Sequence, residues 1–199
     1  MRVLLAIFVV AVALIVYLYE DSAHSTYPPG ILAPEEPSQL NLSGGVPWRQ
    51  GKFLYTPRAE FSMRARVLST KRYWFDGASA VSPVDFAVGW GPMSDQAVID
   101  QIGCAQTQRS CRYWPKGRQF PLSAGEIASH SANMHMIPAD KEIGKALRDV
   151  RRGDLISLGG YLVSVSGENG WKWDTSLSRT DSGNGACEIV CDDFVRPNG

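Results

Sequence analysis

The sequence predicts an α+β fold, a β-rich small curled sheet or barrel with about three short helices, preceded by an N-terminal transmembrane helix. Three observations carry this expectation. Residues 3–19 contain no charged side chain and follow Arg2. Residues 61–67, Phe-Ser-Met-Arg-Ala-Arg-Val, alternate apolar and polar side chains, the period of a strand with one buried face. Short capped segments of helical pattern interrupt further strand-like runs downstream.

The N-terminal run approaches the roughly 17 to 25 residues needed to cross a bilayer as a helix. A cleaved signal peptide has a shorter apolar core and a small-residue exit. Here the exit reads Val16-Tyr17-Leu18-Tyr19-Glu20, so residues 1–20 are read as an uncleaved signal anchor. Arg2 on one side, with Glu20 and Asp21 on the other, leaves the N-terminus in the cytoplasm and exports the rest. The expected location is a single-pass inner-membrane protein with its C-terminal domain in the periplasm or cell exterior. Residues 21–45 carry Pro28, Pro29, Pro34 and Pro37 and no Lys or Arg, the composition of a flexible tether.

Residues 46–199 have the length and apolar content of one domain. Within them, 154–158 and 161–165 read as strands joined by a Gly159-Gly160 hairpin turn, glycine being tolerant of positive φ. Trp171 and Trp173 alternate with Lys172 and Asp174, and 186–190 gives another strand. A first helix is expected over 95–102, capped by Ser94 and stopped by Gly103. Ser123 and Glu126 have capping-box spacing for a second. A third starts near Asp140, carries Ile143, Leu147 and Val150 on one side, and ends at Gly153.

The chain is formally neutral, with 20 basic and 20 acidic residues. Much of the basic excess falls early, with Arg64, Arg66, Lys71 and Arg72 close to Tyr73 and Trp74. With Trp90, set between Gly89 and Gly91, these residues form a candidate binding set for anionic lipid, acidic glycan or a protein. The exported location argues against nucleic acid. Solvated strand faces and a packed tryptophan account for the same residues without a ligand.

Four cysteines in an oxidising compartment are read first as disulfides. Cys104 with Cys111 closes a short loop easily. Cys187 and Cys191, four apart on a straight strand, lie some 13 Å from each other at about 3.3 Å per residue, beyond disulfide reach. A zinc set of Cys187, Cys191, His130 and His135 lacks finger or protease spacing, so no metal is assigned. No cofactor is assigned either, because no P-loop or dinucleotide fingerprint is present.

Residues 129–140 concentrate hydroxyls, two imidazoles, an amide and a carboxylate. A catalytic arrangement there takes His135 as base, Cys187 or Ser131 as nucleophile, and Asn133 or Asp140 as orienter. The alternative is an irregular turn before Pro138, in which these groups bond backbone while Met134 and Met136 fill the core.

Residues 89–95 (Gly-Trp-Gly-Pro-Met-Ser-Asp), 130–139 and 185–188 (Gly-Ala-Cys-Glu), together with the apolar N-terminus, resemble segments of an uncharacterised group of small bacterial membrane or exported proteins. The likeness implies a bacterial envelope setting and no catalytic residue. The leading expectation is a non-catalytic envelope module for a protein, lipid or glycan partner. The rival is a small hydrolase or transferase centred on His135.

Overall fold

The computed structural model describes residues 25–178, the backbone of 186–195, and residues 5, 7, 8, 10–12, 14 and 15. Leu5, Ile7, Phe8, Val10, Leu14 and Ile15 are helical with exposed side chains. Among the described residues no helix is long and apolar enough to cross a membrane. The remainder of the expected anchor lies outside the described residues.

Among the described residues ten strands fall into a large sheet and a small one. The large sheet contains β1 (Ser38–Asn41), β2 (Trp48–Gln50), β3 (Phe53–Arg72), β4 (Val84–Gly89), β7 (Ser131–Pro138), β8 (Leu155–Ser166), β9 (Lys172–Trp173) and β10 (Ala186–Val195). The small sheet is the hairpin β5 (Ile102–Thr107) and β6 (Ser110–Pro115). Among the described residues, three helices, α1 (Gln96–Ile99), α2 (Ala124–Ser129) and α3 (Lys141–Asp149), lie between strands.

The central strand is β3. Its residues 54–66 pair antiparallel with β8, and its residues 66–72 pair antiparallel with β4. From β4 the pairing continues to β7, then in parallel to β10, which pairs antiparallel with β8. The two ends of this path meet on successive halves of one bent strand, sharing only Arg66, so the sheet is strongly curled but does not close into a barrel along a common length.

A register shift between Pro57 and Ala59 explains how the curled sheet buries both faces. An extra residue in one strand reverses which side its later side chains occupy. Tyr55 therefore joins Val163, Val165 and Ile137 in one apolar cluster, whereas Ala59, Phe61 and Met63 join Leu158, Leu162, Met134 and Met136 in the main core. A third cluster, with Leu68, Ala87, Ile102 and Ile127, lies under the β5–β6 hairpin.

Several expectations change here. Residues 25–42 are not a free tether. Ser25 N–H donates to Arg152 O, the Leu32 and Ala33 amides donate to Ser94 Oγ, Ala33 is fully buried, and β1 pairs with β3. Polar groups of the domain satisfy this proline-rich strap, and composition does not reveal such distant partners. The Gly159-Gly160 hairpin is absent. Both glycines sit inside β8, paired on one side to Phe61 and Ser62 and on the other to β10; Gly160 has φ 151°. A strand with partners on both edges runs straight through where a two-stranded hairpin would turn.

The first helix is one turn, capped by Asp95 accepting from Ala97 N–H; Ser94 ends a preceding 3-10 turn, and Ile102 opens β5. The Ser123–Glu126 capping box forms. Asp140 caps α3, whose Leu147 is buried and whose Ile143 packs on the main core. Residues 131–138, expected as an irregular turn, form β7.

Candidate functional site

On the face opposite the main core, β4 and β7 place charged and polar side chains in register. Asp85 pairs with His135 and Ala87 with Asn133, while Phe86 and Met134 point to the core. A carboxylate within the run Val84-Asp85-Phe86-Ala87-Val88 is costly to bury without partners. Asp85 is fully buried, and three groups reach Oδ1: Arg109 Nη1 at 3.0 Å, His135 Nδ1 at 2.9 Å and Ser82 Oγ at 3.4 Å. Its Oδ2 has no partner. The His135 contact is an ion-pair distance without the alignment of a linear hydrogen bond.

Arg109 arrives from the tip of the β5–β6 hairpin. Gln108 and Arg109 both have positive φ, 49° and 58°, as a two-residue type I′ turn requires. Neither is glycine, so the turn is held in a costly conformation that surrounding contacts must fix. Those contacts are numerous. The guanidinium pairs with Asp76 at 2.8 Å, donates to Ser82 O, and lies over the rings of Tyr73 at 4.0 Å and Trp173 at 5.2 Å. Arg109 N–H donates to Tyr73 Oη, and Asn133 Nδ2 donates to Arg109 O. Trp173 also lies against the His135 ring, centroids 4.7 Å apart.

The electrostatics follow from this packing. Burial, then the nearby Asp85 charge, push the Tyr73 phenol up to about 12. The hydrogen bonds from Arg109 hold the Asp76 carboxyl below its ordinary value. The cluster thus joins the hairpin tip, the loop 73–83 and β9. His135 is only 3% exposed, and Arg109 covers the carboxylate. As arranged, the cluster is a latch.

Of the residues proposed for catalysis, Ser131 and Asp140 are engaged elsewhere. Ser131 Oγ donates to Ile127 O, four residues along β7 from His135, and Asp140 is occupied capping α3. Asn133 and His135 share the cluster, but the carboxylate beside the imidazole is Asp85. Cys187 is in register with Met134, and Glu188 is the register partner of His135; the Cys187 side chain lies outside the described residues. Cys187 and Cys191 both lie on β10. Among the described residues no three His, Cys, Asp or Glu side chains cluster as a metal site.

The proposed binding residues divide into three groups. Lys71, Arg72 and Trp74 are exposed at the end of β3, where Phe75 joins them at 98% exposure and Trp74 is 68% exposed. Arg64 is exposed on the body of β3. Arg66 and Trp90 are buried, contrary to the expectation of one basic, aromatic surface. The strap buries Arg66: its guanidinium lies 4.5 Å from the Tyr27 ring centroid and donates to Gln96 Oε1, while Nε and Nη1 have no partner. Desolvation lowers its pKa. Trp90 packs in the main core, its indole N–H without a partner.

Cys104 and Cys111, expected as a disulfide, are free thiols with Sγ to Sγ 2.7 Å. A separate open cleft of about 500 Å³ crosses β1, β3 and β8 between Leu40, Glu60 and Tyr161, away from these groups.

Asp85, Arg109, Tyr73 and Trp173 were not singled out from the sequence as a group. The one legible signal was the carboxylate in the apolar run 84–88. Comparison of the chain with family models, curated proteins and solved structures finds no match.

Proposed function

We propose that this chain is a membrane-anchored, non-catalytic envelope module that binds a glycan chain bearing acidic groups. The observation that carries the reading is the exposed pair Trp74-Phe75 beside Lys71 and Arg72. Flat, solvent-facing rings stack on sugar faces, and adjacent cations pair with acidic substituents.

Strand order supports placing the ligand there. The circuit β3, β4, β7, β10, β8, antiparallel except for β7 with β10 and with α3 between β7 and β8, has the connectivity of an OB-type fold. OB-folds take oligosaccharides or oligonucleotides on the second and third strands and the loops after the first and fourth. Here the corresponding strand face is covered by the hairpin. The two loops are 73–83, which carries Trp74 and Phe75, and the segment after β8, which carries Trp171 and Trp173; both approach Arg109. The apolar N-terminus and the export reading supply the envelope setting.

The test is binding of the full chain in detergent to acidic cell-envelope glycans, with anionic and zwitterionic vesicles as parallel arms. Trp74→Ala/Phe75→Ala and Lys71→Glu/Arg72→Glu should each weaken glycan binding on the order of tenfold or more, and Arg64→Glu should not. Equal binding by all variants, or binding only to anionic vesicles, would overturn the glycan reading.

A further inference from the structure

The hairpin that covers the β4–β7 face carries two thiols already in contact. We propose that Cys104 and Cys111 form a redox-active dithiol: Cys111 attacks the disulfide of a thiol–disulfide oxidant, and Cys104 resolves the product to a Cys104–Cys111 bond. This inference stands apart from the glycan reading.

The geometry comes from the hairpin register. Gln106 pairs with Cys111 and Cys104 with Tyr113, so the cysteines are diagonal neighbours across two antiparallel strands. Both side chains pack against the apolar cluster under the hairpin, and their sulfurs lie 2.7 Å apart. That separation exceeds the roughly 2.05 Å of a disulfide bond, so the sulfurs are adjacent and unbonded.

The two thiols are not equivalent. The hydrogen bond between the two sulfurs holds the Cys111 thiol below its ordinary value and, with burial, pushes Cys104 up. The thiolate is the attacking species, which assigns entry to Cys111. Its sulfur displaces one sulfur of the oxidant disulfide as a thiolate. Cys104 then gives up its proton and displaces Cys111 sulfur's new partner as a second thiolate. In sum, two cysteine thiols lose two electrons and two protons, and the oxidant disulfide gains them as two thiols.

The ring so closed contains Gln108 and Arg109, both of left-handed backbone, and the contacts of Arg109 hold the hairpin down. Oxidation therefore restricts the turn that presents Arg109 to Asp85. Reduction leaves that turn held by its noncovalent contacts alone.

The experiment uses the full chain with Cys187→Ser and Cys191→Ser, reduced and then exposed to glutathione disulfide. The expected result is loss of both remaining thiols and a peptide linked through Cys104 and Cys111. Cys104→Ser should accumulate glutathione on Cys111, and Cys111→Ser should react on the order of tenfold more slowly. On oxidation, amide exchange over 107–111 should slow. Where a single variant fails to fold by circular dichroism, alkylation of the reduced parent followed by peptide mapping gives the same ranking, Cys111 ahead of Cys104. Persistence of both thiols, linkage only between chains, or Cys104 reacting as fast as Cys111 would overturn the proposal.

Discussion

Replacing Asp85 with Asn is the sharpest test of the latch, because it keeps the side chain's shape and removes only its charge. Asp85 has no exposure, and its Oδ1 is shared by the Arg109 guanidinium at 3.0 Å and the His135 ring at 2.9 Å. Arg109 keeps its pairing with Asp76, but that carboxylate is 39% exposed, so solvent screens it and it contributes little. Removing one member of a buried pair strands the other's charge and costs about 3–5 kcal/mol. Arg109 also keeps its hydrogen bond to Ser82 O, which puts Asp85→Asn at the lower end, about 3 kcal/mol. For a chain of this size that is a fall of roughly 6–12 °C in Tm. Urea unfolding should show a lower midpoint at unchanged slope. Arg109→Met in the same background supplies a double-mutant cycle: with the guanidinium gone, the Asn should cost at least about 1 kcal/mol less than in the parent. A loss below about 1 kcal/mol, or strict additivity, would mean that Asp85 and Arg109 are not energetically joined and that the latch is wrong.

Three further outcomes follow from the same contacts. Tyr73, pushed up to about 12 by burial and Asp85, should remain a neutral phenol through pH 11, so the absorbance titrations of the parent and of Tyr73→Phe should coincide up to about pH 11. Because the unfolded chain ionises this phenol near 10 and the folded one near 12, its contribution to stability is complete below about pH 10 and declines as pH rises from there; an ordinary Tyr73 midpoint would contradict this. Ser94→Ala strips the acceptor from the Leu32 and Ala33 amides. It should cost about 2 kcal/mol and speed hydrogen exchange and proteolysis across 25–34; unchanged protection there would show that the strap is held otherwise. Gly153→Ala meets both a φ of 86° and the Ser25 carbonyl, 1.9 Å from the added carbon. It should cost about 2 kcal/mol or more, whereas Gly117→Ala, with nothing within 4 Å, should stay within about 0.5 kcal/mol. Equal melting curves for the two would refute the close approach of the strap.

Local chemistry made several features readable from the sequence. The alternation at 61–65 appears as buried Phe61, Met63 and Ala65 between exposed Ser62 and Arg64. The capping box at Ser123 and the Asp140 start of α3 were legible because a cap is made within a few residues. The short spacing of Cys104 and Cys111 suggested a disulfide, and the structure holds them as adjacent thiols. What the tertiary structure decided was everything whose partner lies far along the chain. Arg66 follows the exposed Arg64 by two residues, but the strap brings Tyr27 and Gln96 over it and buries it. Gly159 and Gly160 look like a turn until β3 and β10 occupy both edges of β8. His135 was identifiable as a polar residue of interest, but Asp85 and Arg109, 50 and 26 residues earlier, meet it only after the sheet has curled and the hairpin has folded back. Periodicity and capping record what a residue owes to its immediate neighbours; burial of a charge is fixed by where the rest of the chain comes to lie.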